Sequence, residues 1–299
     1  MEDVLWTYEE DTFLYISSVG ASYSLWPLRR GELQLSSASI NEPYVYLKQE
    51  KDSTWNFESL LKEQAGSSTD TTPASGNFRM LLSNFKISDG RVQIQALDSL
   101  IPDEVKNINL EADGAYSSNE QTITLKHFDL QTQRPDFALR ELTFAARRTE
   151  ENIALNNFHL KTAQNALNAE ARYSGDATTE IVAEMQTEPI NIKEFEFLLP
   201  QINLPARPEI DFKANSTQKG VEATLSVRDK EQLIKLDLNS ENLLQFINSP
   251  DKTALEYKIT GNIEKVNLAH WMGNPALEHT LNGDFKIDGS GVYKSRCRF

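Results

Sequence analysis

The feature that most constrains this chain is a two-residue period of apolar and polar side chains, clearest in Phe85 to Ile94, FKISDGRVQI. Asp89-Gly90 is a hairpin signal there, because Gly tolerates the positive φ that a type I′ turn demands. With Ser88 opposite Arg91, Ile87 falls opposite Val92 and Phe85 opposite Ile94. Those four side chains then share one face, while Lys86 and Gln93 share the other. The stretch predicts an antiparallel ladder that is apolar on one side and polar on the other.

The same period recurs along the chain. Residues 4 to 24 are rich in strand formers such as Phe13, Tyr15, Ile16 and Val19. Leu33 and Leu35, then Tyr44 and Tyr46, alternate with other residues and predict two strands flanking Ser36 to Pro43. In Thr122 to Gln133 the apolar phase shifts between Ile123, Leu125 and Phe128, Leu130, which predicts a bulge near Lys126-His127. Phe137 to Ala146 and Ile153 to Thr162 continue the series around a turn at Glu150 to Asn152. Leu167, Ala169, Ala171 and Tyr173 oppose Asn168, Glu170 and Arg172.

Helical signals are short. Asn56 is positioned to cap a helix carrying Phe57, Leu60 and Leu61. Asn191 reads as an N-cap with Glu194 completing a capping box, and Ile192, Phe195 and Leu199 share a face before Pro200. Asn267 repeats this scheme with Leu268, Trp271 and Met272, so a weak internal repeat is present. Ser240 with Leu243, Leu244 and Ile247 makes another short helix. Gly66 to Gly76, GSSTDTTPASG, has no apolar period and reads as a mobile loop. The prediction is a mainly β fold, an elongated, curled antiparallel sheet forming an open β-groove with a few short helices. Its parts are residues 1–65, strands and a short helix; 66–77, the loop; and 78–299, repeated groove units with helices near 192–199, 241–247 and 267–273.

Charge narrows the partners. With 30 Lys and Arg against 44 Asp and Glu, the formal charge is −14. That argues against nucleic acid, whose phosphates require clustered cations, and against docking flat onto anionic headgroups. The apolar fraction of 39% lies below the ~45–50% of compact chains and suits a one-sheet-thick structure. Cys297 stands alone, so the chain carries no internal disulfide. No apolar run approaches the ~18 residues of a membrane helix, and no signal peptide is visible. The abrupt first strand and the abrupt end in KSRCRF lead us to expect a fragment of a longer protein.

The residues assemble no active site. His127, His159, His270 and His279 stand in no zinc-ligand spacing. Carboxylates are so numerous that paired-acid geometry carries no signal. Asp288-Gly289-Ser290-Gly291 lacks the following helix that phosphate cradling requires, and no G-x-S-x-G elbow occurs. Asn215-Ser216-Thr217 matches a glycosylation sequon that matters only in a eukaryotic secretory context. Trp6, Trp26, Trp55 and Trp271 are far apart in sequence, and packing explains them. We therefore expect no catalytic residue, no metal and no cofactor.

LWPLRRGELQLSSASINEPYVYLKQEKDSTWNFESLL resembles the membrane-proximal segment of the TamB and AsmA-like proteins of the Gram-negative envelope. The family pattern runs through "P-L-L-x-G", "I-x-x-P-x-V-x-L" and "N-F-x-x-L-L". Pro27, Leu28, Gly31, Ile40, Pro43, Val45, Leu47, Asn56, Phe57, Leu60 and Leu61 occupy it here. Arg29 departs from the pattern by standing where a second Leu is common, and Arg30 precedes the Gly. An "F-x-I-x-D-G-x-V-x-I" stretch follows, as in Phe85 to Ile94. VNLAHWMGNPALEHTLNGDFKIDGSG is similar to the family's helix and "L-x-G-x-x-x-x-x-G-x-G". The middle of the chain is unmatched.

The resemblance implies a periplasmic protein anchored in the inner membrane through a segment outside this chain. Such proteins are associated with phospholipid transport between inner and outer membranes, and with outer-membrane protein assembly and secretion through a partner barrel. A trough suits that role physically. Each buried CH₂ gains ~0.8 kcal/mol, so an acyl chain gains on the order of 10 kcal/mol. Uniform walls also let the tail slide with little change in buried area. Phe85, Ile87, Val92 and Ile94 are the candidate groove lining, with Ile123 and Leu125 as further candidates. Two other classes stay open at this point: an elongated β-rich adhesin or scaffold without lipid cargo, and an enzyme on a β-rich scaffold.

Overall fold

The computed structural model describes residues 1–8, 11–58, 78–98, 100–175, 180–199, 202, 204–216, 220–248 and 254–291. Its strands form one fifteen-stranded sheet whose spatial order follows the sequence, and the sheet does not close into a barrel. Two compact units divide it, residues 1–150 with 159–163 and residues 151–158 with 164–299. Unit 1 holds β1 (Glu2–Tyr8), β2 (Asp11–Ser24), β3 (Glu32–Lys48), β4 (Arg79–Gln95), β5 (Glu104–Tyr116), β6 (Glu120–Gln133) and β7 (Phe137–Thr149). β8 (Asn152–Thr162) contributes residues to both units. Unit 2 continues with β9 (Ala166–Ser174), β10 (Glu180–Thr187), β11 (Glu209–Ser216), β12 (Val221–Asp229), β13 (Gln232–Ser240), β14 (Glu256–Asn267) and β15 (Thr280–Ser290).

The period-2 reading of unit 1 holds, but the hairpin does not. Residues 79 to 95 run as one strand, and Asp89-Gly90 is a bulge inside it. Asp89 takes the left-handed conformation (φ 54°), whereas Gly90 does not. A bulge adds one residue to one side of a ladder, so it turns the odd step from Ile87 to Val92 into an even one on the face. Phe85, Ile87, Val92 and Ile94 therefore share a face without any turn between them. β3 is likewise one strand across Ser36 to Pro43, not two, and its Glu42 (φ 49°) is bulged in step with Asp89. β3 and β4 pair in parallel, an exception within a unit whose other neighbours pair antiparallel.

Bulges free backbone N–H groups, which need new acceptors. Side chains from the next strand supply them. The Asn84 N–H donates to Asp113 Oδ1 at 2.8 Å and the Asp89 N–H to Asn109 Oδ1 at 2.9 Å. In unit 2 the N–H of Lys265 (φ 52°) donates to Asn282 Oδ1 at 2.8 Å. The bulge expected near Lys126-His127 is present, since the β5–β6 register shifts between Ala112↔Leu125 and Glu111↔His127.

The short helices of unit 2 fall where the apolar faces put them: a 3-10 helix at Ile192–Phe195 and α-helices at Leu243–Asn248 and Leu268–Met272. Their caps differ in part from expectation. Asn191 and Asn267 do cap, accepting from the N–H of Lys193 and His270. Glu194 does not close a capping box: the Asn191 N–H donates to Asn165 Oδ1 at 2.6 Å, and Glu194 accepts from the Asn165 side chain. The α-helix at Leu243 starts from Asn242, whose carbonyl accepts from the Phe246 N–H, while Ser240 Oγ is buried without a partner. The helix that Asn56 is expected to cap lies, beyond Glu58, outside the described residues. Its side chain bridges the backbone of Lys48 and Tyr46. Leu60, Leu61, Pro200, Cys297 and the 66–77 loop lie outside the described residues.

Candidate functional site: the apolar face of unit 1

Register places the apolar side chains of unit 1 in rows that cross the strands. One row runs Leu35, Leu82, Gly114, Ile123, Ala146. The next runs Ala21, Ala38, Phe85, Ala112, Leu125, Phe144. A third holds Val19, Ile40, Ile87, Leu110 and Phe128, and a fourth Leu14, Val45, Val92, Val105, Thr132 and Phe137. Leu47 and Ile94 pair beyond them. Paired residues project to the same side of a sheet, so these rows make one continuous apolar surface.

All six sequence candidates lie on this surface. Phe85, Ile87, Val92 and Ile94 are half-buried on β4. Leu125 is buried, 7% exposed, between Ala112 and Phe144, and Ile123 is 46% exposed on the same strand. Ala112 and Gly114 sit between larger residues on β4 and β6, which lowers the floor along β5. The contributions of β3 and β5 (Leu35, Ile40, Val45, Val105, Leu110) were missed by pattern reading. Their signal was present as period 2 broken by Glu42 and Asn107, both at positive φ.

Most of this surface is only partly covered. A face packed beneath a second layer would be buried throughout, yet only Gly90, Ala112 and Leu125 of these rows and their bulge are buried. Within unit 1 every described strand belongs to the one sheet, and the described helical residues are the 3-10 turn Trp26–Arg30 and Glu58. A cleft of about 480 Å³ opens where β3 and β4 begin and β5 ends, with Leu33, Met80 and Tyr116 among its lining.

The opposite face is a polar network. Tyr44 Oη donates to Gln93 Oε1 at 2.9 Å and Tyr46 Oη to Gln95 Oε1 at 2.6 Å. Arg91 pairs with Glu104, and Asn109 donates to Asp129, which also contacts His127 Nε2 at 2.6 Å. Lys126 Nζ lies 2.8 Å from Asp113 Oδ2. The Lys126 hydrogen bond and the Asn84 N–H together hold the Asp113 carboxyl below its ordinary value.

Chemistry of other kinds finds little footing. Among the described residues no three His, Cys, Asp or Glu side chains converge as metal ligands. His270 Nε2 lies 2.5 Å from Oδ2 of the buried Asp229. This contact fastens the Leu268–Met272 helix to the turn joining β12 and β13. No helix among the described residues is long and apolar enough to cross a membrane. Compared with protein-family models, curated proteins and solved structures, the chain matches none.

Proposed function

We propose that the apolar face of unit 1 is the working surface of a non-enzymatic cell-envelope protein, an open trough that takes phospholipid acyl chains. The observation that carries this reading is the row structure: apolar side chains continuous over six strands, β2 to β7, mostly half-buried and with no second layer over them among the described residues. The TamB and AsmA-like resemblance supports the same role. It implies a periplasmic protein tied to the inner membrane, with phospholipid moving toward the outer membrane and an outer-membrane assembly barrel as the protein partner.

The physics favours a tail over a polar cargo. A surface of aliphatic and aromatic side chains gains about 25 cal/mol per Å² from covering hydrocarbon and offers no hydrogen-bonding groups to a peptide backbone. Rows of similar width give successive tail positions similar energies, so the barrier to sliding is low. The headgroup stays in water at the open side, and the polar network behind the sheet maintains solubility.

A photo-crosslinking amino acid at position 87 in living cells tests the reading. Capture of phospholipid is the expected result. Capture of polypeptide alone would replace lipid with an assembly client, and capture of neither would favour a scaffold without cargo.

A further inference from the structure

We propose that the end of unit 1 bearing residues 23–31 docks edge-on against a bilayer that contains anionic lipid. The 3-10 turn between β2 and β3 carries strongly exposed apolar side chains: Leu25 is 66% exposed and Trp26 70% exposed. Tyr23 and Leu28 flank them, also exposed. The Gly31 carbonyl accepts from the Arg79 N–H at 3.1 Å, which brings the start of β4 and exposed Phe78 alongside. Clustering such exposed side chains at one end of the sheet contributes nothing to the folded core; Trp and Tyr beside aliphatics match the composition of the bilayer interface.

Charge at this end differs from that of the chain. Arg29 lies over the Trp26 ring, 5.3 Å from its centroid, and neither Arg29 nor Arg30 forms an ion pair among the described residues. Arg79, Arg147 and Arg148 lie on strand ends at the same edge, since β3 and β4 start where β5 and β7 finish. Glu32 and Glu120 at this edge are paired, with Arg79 at 3.9 Å and Arg147 at 2.8 Å, and exposed Glu150 follows the end of β7, so arginines still outnumber carboxylates there. The net charge of −14 opposes a flat approach to anionic lipid. An edge-on approach escapes it, because strands of 13 residues or more extend roughly 40 Å, several times the ~8 Å Debye length at physiological salt. Carboxylates at the far ends of the strands are then screened from the membrane. The cleft beside Leu33, Met80 and Tyr116 opens at this same edge, at the mouth of the apolar face.

Flotation of the 299-residue chain with vesicles tests this, using phosphatidylcholine with and without phosphatidylglycerol. The chain should float with the mixed vesicles, and high salt should weaken binding. Trp26→Ser with Leu28→Ser should lower the partition coefficient about tenfold or more. Arg29→Glu with Arg30→Glu should remove the preference for phosphatidylglycerol. Leu97→Ser with Leu100→Ser, at the opposite ends of the strands, should change nothing. All of these side chains are exposed, so unchanged thermal unfolding certifies the variants. Failure of the wild type to float, or equal losses at both ends, overturns the proposal. A concentration-dependent dimer abolished by Trp26→Ser would overturn it in favour of a second copy. Docking is independent of cargo: flotation can fail while lipid crosslinks at position 87 persist, and the reverse result would remove the trough alone.

Discussion

Asp89 and Gly90 exchange the roles their order suggests. Asp89 holds the left-handed conformation, and Gly90 is required for space: an added Cβ would lie 3.1 Å from Ile108 Cβ, 3.2 Å from Pro43 Cγ and 3.3 Å from the Ile108 carbonyl. Backbone and proline cannot give way cheaply. Gly90→Ala should therefore destabilise unit 1 by about 1–2 kcal/mol. Asp89→Gly should be neutral or stabilising by up to ~1 kcal/mol, because the strain at positive φ is relieved. Urea unfolding of the two variants decides; a hairpin turn at these residues would reverse their order. Asp113 gives a pH test. Its carboxyl is depressed below the ordinary 3.8 by Lys126 first and the Asn84 N–H second. Its stabilising effect is thus present above that value and lost as pH falls through the lower folded one. Asp113→Asn can still accept from Asn84 but loses the Lys126 pair. The variant should be less stable than wild type at neutral pH, and the gap should close below about pH 4. The site is solvent-exposed, so the gap should not exceed about 1 kcal/mol.

At the scale of elements, unit 2 repeats one joint. A strand passes into a short helix through an Asn cap, and the cap's own N–H is caught by a side-chain amide from the start of another strand. Asn165, just before β9, accepts from Asn191; Gln232, opening β13, accepts from Asn267 at 2.7 Å and from Trp271 Nε1 at 3.0 Å. Asn165→Ala and Gln232→Ala should each cost about 1–3 kcal/mol by stranding a donor, whereas Gln232→Glu keeps an acceptor and should lose less. Thermal unfolding measures all three. A second joint is aromatic. The Phe285 ring covers Gly261 and the Tyr257 ring covers Gly289 across the β14–β15 pair, so that a Cβ at Gly261 would meet Phe285 at 2.2 Å. On β6 the apolar face itself is graded. Leu125→Asp should cost several kcal/mol, because it strands a carboxylate in a buried site. Ile123→Asp, two residues away, should stay within about 1 kcal/mol because water already reaches it.

At the scale of the whole molecule, a sheet with one wet and one apolar face has to put that apolar face to some use or cover it. If the face of unit 1 is a trough, a fluorescent fatty acid should bind the folded chain with an affinity that salt barely changes. Ile87→Asp should fold, since position 87 is half-buried, yet bind the probe at least about tenfold more weakly. Loss of folding instead of binding in Ile87→Asp would mean the face is a packed core. The polar network behind it, from Tyr44–Gln93 through Arg91–Glu104 to Lys126–Asp113, should be indifferent to the probe.

The sequence by itself determined the strand content, the two-faced character, the bulge at Lys126 and the positions of the short helices of unit 2. Each of these follows from local periodicity and capping chemistry. It also marked Phe85, Ile87, Val92 and Ile94 as sharing a face, through a turn that does not exist. Only the tertiary structure decided how they share it. A bulge and a hairpin both need a residue at positive φ, and Asp-Gly serves either; which one forms depends on the strands that lie alongside. Here β3 and β5 bracket β4 over its full length, and straight pairing with both leaves no room for a turn at residue 89. The parallel step between β3 and β4, the partners of the bulged N–H groups and the cluster at Trp26 are settled in the same way, by pairings between residues distant in sequence.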